Sequence, residues 1–136
     1  MTESEQIDRF LRASRFAVVG ASANRAKFGN KVLRCYQHYG LDAVPIHPRA
    51  QVIEGLTAYP DLRSVPGGVQ AVSFITPPPI TERSVEEALS LGIQNLWMQP
   101  GADSERAVAL ARQAQASVIY GGACLLVILP RRASPA

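Results

Sequence analysis

Small residues and cations gathered in one turn carry the first chemistry that can be read from this chain. Gly20, Ala21 and Ser22 are followed by Asn24, Arg25 and Lys27, and then by Phe28 and Gly29. An apolar run precedes them and a helical apolar pattern follows. Such a turn can hold a phosphate. Small residues leave the backbone uncrowded where a helix N-terminus presents its N–H groups, and nearby cations add charge. The plain alternative is a tight strand-to-helix turn with no ligand. The pattern departs from the G-x-G-x-x-G dinucleotide fingerprint, because Gly20 is followed by Ser22 and only much later by Gly29. The turn is therefore longer than usual. No G-x-x-x-x-G-K-S/T run occurs, which excludes a P-loop.

Three further segments belong with this turn, because each ends a predicted strand: His47-Pro48-Arg49, Ile75-Thr76-Pro77-Pro78 and Gln99-Pro100-Gly101. Ligands of parallel sheets sit outside the carboxyl ends of the strands. The prolines there make rigid, mostly apolar rims without N–H donors, suited to a flat ring or a pantetheine-like chain. The second strand end bears on the cofactor. An NAD site wants a carboxylate there to accept from the ribose 2′-hydroxyl, and this chain has Arg49 instead. An arginine can pair with a phosphorylated ribose, which points to coenzyme A or NADP ahead of NAD. The competing reading of Arg49 is a solvated loop residue.

The elements that must position these segments follow from periodicity and punctuation. Thr2 and Glu5 have capping-box spacing, and Ile7, Phe10 and Leu11 form an apolar stripe, so residues 1–15 are read as a short helix against the sheet edge. Strands are expected at Phe16–Gly20, Leu41–Ile46, Val69–Thr76, Ile93–Met98 and Ser117–Tyr120. Helices are expected at about Phe28–Tyr39, Ile80–Leu91 and Asp103–Gln115, the first two closed by Gly40 and Gly92. A short extended piece falls within Ile53–Tyr59, and Pro60-Asp61-Leu62 opens a one-turn helix. Val127–Pro130 is read as an added edge strand, and residues 131–136 as a frayed tail. Strands alternating with helices predict an α/β, Rossmann-like, doubly wound parallel sheet of about five strands in a single domain over residues 16–130.

Composition sets the bounds. The length of 136 residues fits one domain, and 47% hydrophobic with 18% charged residues is a globular balance. The net charge of +3 is too small to argue for nucleic acid. No run approaches a membrane span, and the charged N-terminus is not a signal peptide. Two cysteines, Cys35 and Cys124, make neither a disulfide framework nor a zinc site, so a reduced, cytoplasmic protein is expected.

Taken together, Phe16-Ala17-Val18-Val19-Gly20-Ala21-Ser22, Val44 to Arg49, Phe74 to Pro78, Leu96 to Ala102 and Ala123-Cys124 resemble the stand-alone coenzyme A-binding domain family. These are small proteins similar to the CoA-binding domain of succinyl-CoA synthetase alpha subunits, and the segment Trp97 to Ala102 is the most specific piece. The resemblance implies CoA lying across the strand ends, with its diphosphate on Gly20, Ala21 and Ser22. Asn24, Arg25 and Lys27 fall in the part of the loop that varies most. The family's asparagine-proline-lysine/arginine pattern stands here as His47-Pro48-Arg49, and its arginine before the prolines is replaced by Thr76. The synthetase transfers phosphate through a histidine of a second domain. Neither His38 nor His47 lies in such a setting, so synthetase activity by this chain alone is not expected.

Other candidates are read as structural. Cys124 follows Gly121-Gly122-Ala123 near the ligand edge and could exchange with the thiol of CoA, but a buried apolar cysteine is the plainer reading. Glu82, Glu86 and Glu87 are read as a solvated helix face, and Trp97 as core. Three functions stay open on the sequence. The first is a non-catalytic CoA or acyl-CoA module, carrier or sensor, as a homodimer or beside an acyl-CoA enzyme. The others are a small NADP-dependent oxidoreductase and a ligand-free interaction domain of the same fold.

Overall fold

Four consecutive apolar residues, Phe16–Val19, are buried on both sides and form strand β1. The structure, a computed structural model, describes residues 1–133. A run buried on both faces can only be a central strand, and β1 pairs in parallel with β2 (Ala43–Ile46) on one side and β5 (Ala71–Phe74) on the other. The sheet continues through β6 (Asn95–Met98) to β7 (Ser117–Ile119), giving the parallel order β2-β1-β5-β6-β7. A separate two-stranded antiparallel hairpin, β3 (Val52–Ile53) and β4 (Leu56–Thr57), lies beside β2, where Tyr59 just after it bridges to Ile46.

Successive strand residues face opposite layers. Ala17, Val19, Val72, Phe74, Leu96 and Met98 belong to one core, closed by α3 (Pro78–Ser90), α4 (Glu105–Gln113) and the 3₁₀ turn Leu62–Ser64. Phe16, Val18, Ala71, Trp97 and Ile119 belong to the other, closed by α1 (Glu3–Leu11), α2 (Phe28–His38) and α5 (Leu125–Ala133). Helices on both faces of a parallel sheet make the fold doubly wound and Rossmann-like. Trp97 and Phe10, both buried, meet edge-on with ring centroids 5.2 Å apart. Each such burial stabilises by about 1.5–3 kcal/mol. The Trp97 indole N–H donates to the Ala123 carbonyl at 3.0 Å, so its one polar atom is satisfied. The capping box of α1 forms as its spacing predicts, with the Glu5 N–H donating to Thr2 Oγ1 at 3.1 Å.

Three expected strands start two residues late, β5 at Ala71 among them, and the other two do so for one reason. The Leu41 N–H donates to the Tyr36 carbonyl and the Ile93 N–H to the Ala88 carbonyl, both at 3.0 Å, across Gly40 and Gly92 in the left-handed region. Those residues close the preceding helix, so β2 begins at Ala43 and β6 at Asn95. The extended piece within Ile53–Tyr59 becomes the β3–β4 hairpin, turning at Glu54-Gly55.

The C-terminal expectation is corrected. Val127–Pro130 is not an edge strand but part of α5, which runs on through Arg131 and Arg132, so these are not tail. The Cys124 carbonyl accepts from the Val127 and Ile128 N–H groups, both at 3.0 Å, while Leu125 and Leu129, one turn apart, are buried in the second core. A short apolar run fits a strand or a buried helix face equally, and here the open flank of that core selects the helix. Arg132 ties α5 to α1 through Asp8 and Ser4. Residues 134–136 of the expected tail lie outside the described residues.

Candidate functional site

The order β2-β1-β5 reverses the winding direction at β1 and β5, which is where the carboxyl ends of a doubly wound sheet open into a crevice. A cleft of about 760 Å³ lies there, within the usual range for small-molecule sites. Gly20, Ala21, Ser22, Lys27, Phe28, Gly29, His47, Pro48, Ile75, Thr76 and Pro77 all line it. Three of the four expected strand ends therefore converge on one space.

The turn after β1 is built tightly. Ser22 Oγ accepts from the Asn24 N–H, Asn24 Oδ1 from the Ala26 N–H, and the Asn24 carbonyl from the Lys27 N–H, each at 3.0 Å. Gly29 must be glycine, because a Cβ there would stand 2.0 Å from the Gly20 carbonyl oxygen. It seats the first turn of α2 on the end of β1, the helix–strand contact made by a fingerprint's last glycine. The reading of Gly20 is corrected: the space its missing Cβ leaves is closed by the Ile75 carbonyl oxygen, 2.3 Å away, rather than held open for a ligand.

What this turn offers an anion is the start of α2. Its first turn has no acidic residue and no side-chain cap, so the leading N–H groups and the positive end of the dipole stay unspent. The N-termini of α1, α4 and the 3₁₀ turn are instead closed by Thr2, Ser104 and Asp61. Lys27, exposed at the N-cap position, adds a cation at the same place.

Arg25 is engaged elsewhere. Its guanidinium pairs both Glu54 carboxylate oxygens, at 3.1 and 3.2 Å, at the turn of the β3–β4 hairpin. Asn30, fully buried, donates to Glu54 at 3.0 Å and to the Ser22 carbonyl at 2.9 Å, and accepts from Arg34 at 2.7 Å. The Asn30 hydrogen bond first, and the Arg25 pair second, hold the Glu54 carboxyl below its ordinary value. Sequence reasoning passed over both Asn30 and Glu54, which meet only through the fold.

The opposite rim carries His47 and Pro48. His47 Nδ1 accepts two backbone N–H groups, from Arg49 at 3.0 Å and Ala50 at 2.9 Å. Those groups can only donate, so Nδ1 carries no proton and the neutral ring keeps its hydrogen on Nε2. The histidine thereby does the loop-capping work open to an asparagine at this position. Arg49, Asn24 and Pro78 are not among the lining residues. Gln99, Pro100 and Gly101 also lie outside the lining; Gln99 is fully buried and its Oε1 accepts from the Leu125 N–H at 2.9 Å.

One wall was missed from sequence. Ile80, Arg83, Ser84 and Glu87 of α3 line the cleft together with Pro60 and Asp61. Their 80/83/84/87 spacing marks one helix face and was the available signal. Glu87 is not a solvated residue: its carboxylate accepts from the Leu62 and Arg63 N–H groups and pairs the Arg63 guanidinium at 3.0 Å. Glu82 likewise accepts from the Ser104 hydroxyl, and Glu86 pairs Arg106.

A family model described as a CoA binding domain matches residues 14–130. Among solved structures, a conserved hypothetical protein from Pyrococcus furiosus superposes with a TM-score of 0.79 at 35% identity, covering 83% of this chain and 97% of that one. The alpha subunit of an ADP-forming acetate–CoA ligase II from Pyrococcus furiosus is 25% identical over 91 residues, 66% of this chain and 20% of the ligase subunit. A trans-feruloyl-CoA synthase from an unknown prokaryotic organism is 29% identical over 91 residues, 65% of this chain and 13% of the synthase. The chain thus spans a fifth or less of these two curated relatives.

Proposed function

This chain belongs to the CoA binding domain family, and from that premise we propose that it binds coenzyme A or an acyl-CoA in the cleft between β1 and β5, as a module without chemistry of its own. The observation that carries the reading is the uncapped, acid-free N-terminus of α2 opening onto that cleft beside Lys27. A diphosphate there meets unspent N–H groups and a dipole end of the right sign. Ala21 and Ser22 give the backbone approach, Phe28 and Ile75 apolar contact, and His47 Nε2 a donor at the far rim. Pro48, Pro60 and Ile80 supply the apolar walls that a base and a pantetheine arm require.

The titratable groups of the cleft support a binding role. Glu87 and Asp61 hold the 3₁₀ turn, and one nitrogen of His47 holds its own loop. None of the three hydrogen-bonds to another among the described residues. NADP is the weaker ligand in this reading, since the relatives with a named activity handle CoA. In the cell the module serves as a carrier or sensor, or docks on an acyl-CoA enzyme, alone or as a homodimer.

Calorimetry on the purified protein tests this directly. CoA is expected to bind at least about tenfold tighter than NAD or NADP, a difference of about 1.4 kcal/mol. Equal affinities, or a nicotinamide nucleotide ahead of CoA, would sink the reading.

A further inference from the structure

Two cations line the cleft, Lys27 and Arg83, and neither side chain has a partner among the described residues. They stand on opposite faces of the sheet, Lys27 at the start of α2 and Arg83 on α3. The two walls offer an anion very different things. The α2 wall has unspent backbone N–H groups. The α3 wall begins with Pro77-Pro78-Pro79, which have none, and the next two N–H groups, of Ile80 and Thr81, are both taken by the Pro77 carbonyl at 2.9 and 3.0 Å. The first turn of α3 therefore has no backbone donor to offer a phosphate, and that helix can meet one only through a side chain.

Among the charged side chains of α3, Arg83 alone is free to do so. Glu82 and Glu86 hold Arg106, and Glu87 holds Arg63 and the 3₁₀ turn. Two carboxylates share that end of the cleft. Glu87 is balanced by Arg63, while Asp61 Oδ1 accepts from the Ser64 N–H at 3.0 Å and from its hydroxyl at 2.5 Å. Neither forms an ion pair with Arg83 within 4.0 Å among the described residues.

We propose that Arg83 reads the ribose 3′-phosphate of the bound coenzyme, giving the cleft two separate anion sites. The diphosphate occupies the α2 N-terminus with Lys27, and the phosphomonoester pairs with the guanidinium across the cleft. This assigns to α3 the discrimination that the sequence pattern expected of Arg49, whose side chain does not line the cleft. The inference rests on the CoA reading above and deepens it.

The test titrates the whole chain with CoA and with 3′-dephospho-CoA. Wild type is expected to prefer CoA, and Arg83→Gln to lose about fivefold in CoA affinity while 3′-dephospho-CoA binds unchanged. Arg83→Lys keeps the charge and retains part of the preference. Arg83→Gln removes no contact within the protein, so its melting temperature without ligand should match wild type. Arg49→Gln should leave the ratio of the two affinities unaltered. Equal losses for both ligands in Arg83→Gln, no loss for either, or loss of the preference in Arg49→Gln instead would each overturn the assignment. Wild type binding both ligands equally defeats the assignment and spares the CoA reading. Wild type binding neither defeats both.

Discussion

At the scale of single residues, His47 shows a side chain at the cleft rim that holds its own loop. Its Nδ1 satisfies two loop N–H groups that would otherwise face water or nothing. His47→Ala should therefore cost about 1 kcal/mol, read as a lower urea midpoint, whereas His47→Asn should stay within about 0.5 kcal/mol, because its amide oxygen can accept the same donors. Equal destabilisation by both would show that the ring itself, not its acceptor, supports the loop. Gly20 and Gly29 are stricter. A Cβ at Gly20 would sit 2.3 Å from the Ile75 carbonyl oxygen, and the residue has φ +97° besides, so Gly20→Ala should damage the fold and not merely block a ligand. A Gly20→Ala protein that melts like wild type, with or without CoA affinity, would contradict this packing.

Among elements, the β3–β4 hairpin and the helix ends are the informative cases. Glu54 pins the hairpin to Arg25 and Asn30, and its carboxyl is held below the ordinary value of 4.5, chiefly by the Asn30 hydrogen bond. A depressed folded-state value contributes stability that is fully present above the unfolded value and is lost as pH falls through the folded one. Acidification below pH 4.5 should then lower the urea midpoint of wild type more steeply than that of Glu54→Gln. Parallel acid limbs in the two proteins would remove Glu54 from the account. The end of α4 offers a stabilising change. The Ala116 N–H returns to the Ala111 carbonyl at 2.9 Å across Gln115, which takes φ +59° where α2 and α3 use glycine. Gln115→Gly should relieve that strain and raise stability by about 0.5–1 kcal/mol, net of the larger unfolded-state entropy of glycine. An unchanged or lower melting temperature would argue against it.

The whole molecule is held as two cores on one sheet, and the cleft lies where their covering helices part. Ligand binding at that seam should stabilise the entire domain, since both walls must be folded to form it. Saturating CoA at about 100 times its dissociation constant should add about 2.7 kcal/mol to unfolding and raise the melting temperature accordingly. A saturating ligand that left the melting temperature unchanged would have to bind the unfolded chain equally well, which would rule out a site built by the folded walls. Each core depends on its last helix as well. Leu125 and Leu129 of α5 are buried beneath it, so truncation at Cys124 should expose the second core and abolish cooperative unfolding, seen by calorimetry.

Much of this was legible in the chain itself because its signals are local. The buried run Phe16–Val19, the glycines that close α2 and α3, and the prolines after β5 each act within a few residues, and they sufficed for a doubly wound parallel sheet with three of its strand ends on one cleft. The convergence of Gly20–Ser22, His47-Pro48 and Ile75–Pro77 followed from that topology alone. What tertiary structure decided was partnership between residues far apart in sequence. Arg25 is drawn off by Glu54, Glu87 is spent on the 3₁₀ turn, and Arg83 is left facing the cleft. Val127–Pro130 became helix because an open flank of the core awaited it. A side chain's type states what it can bind, but whether it is still free to bind depends on neighbours that only the folded chain supplies.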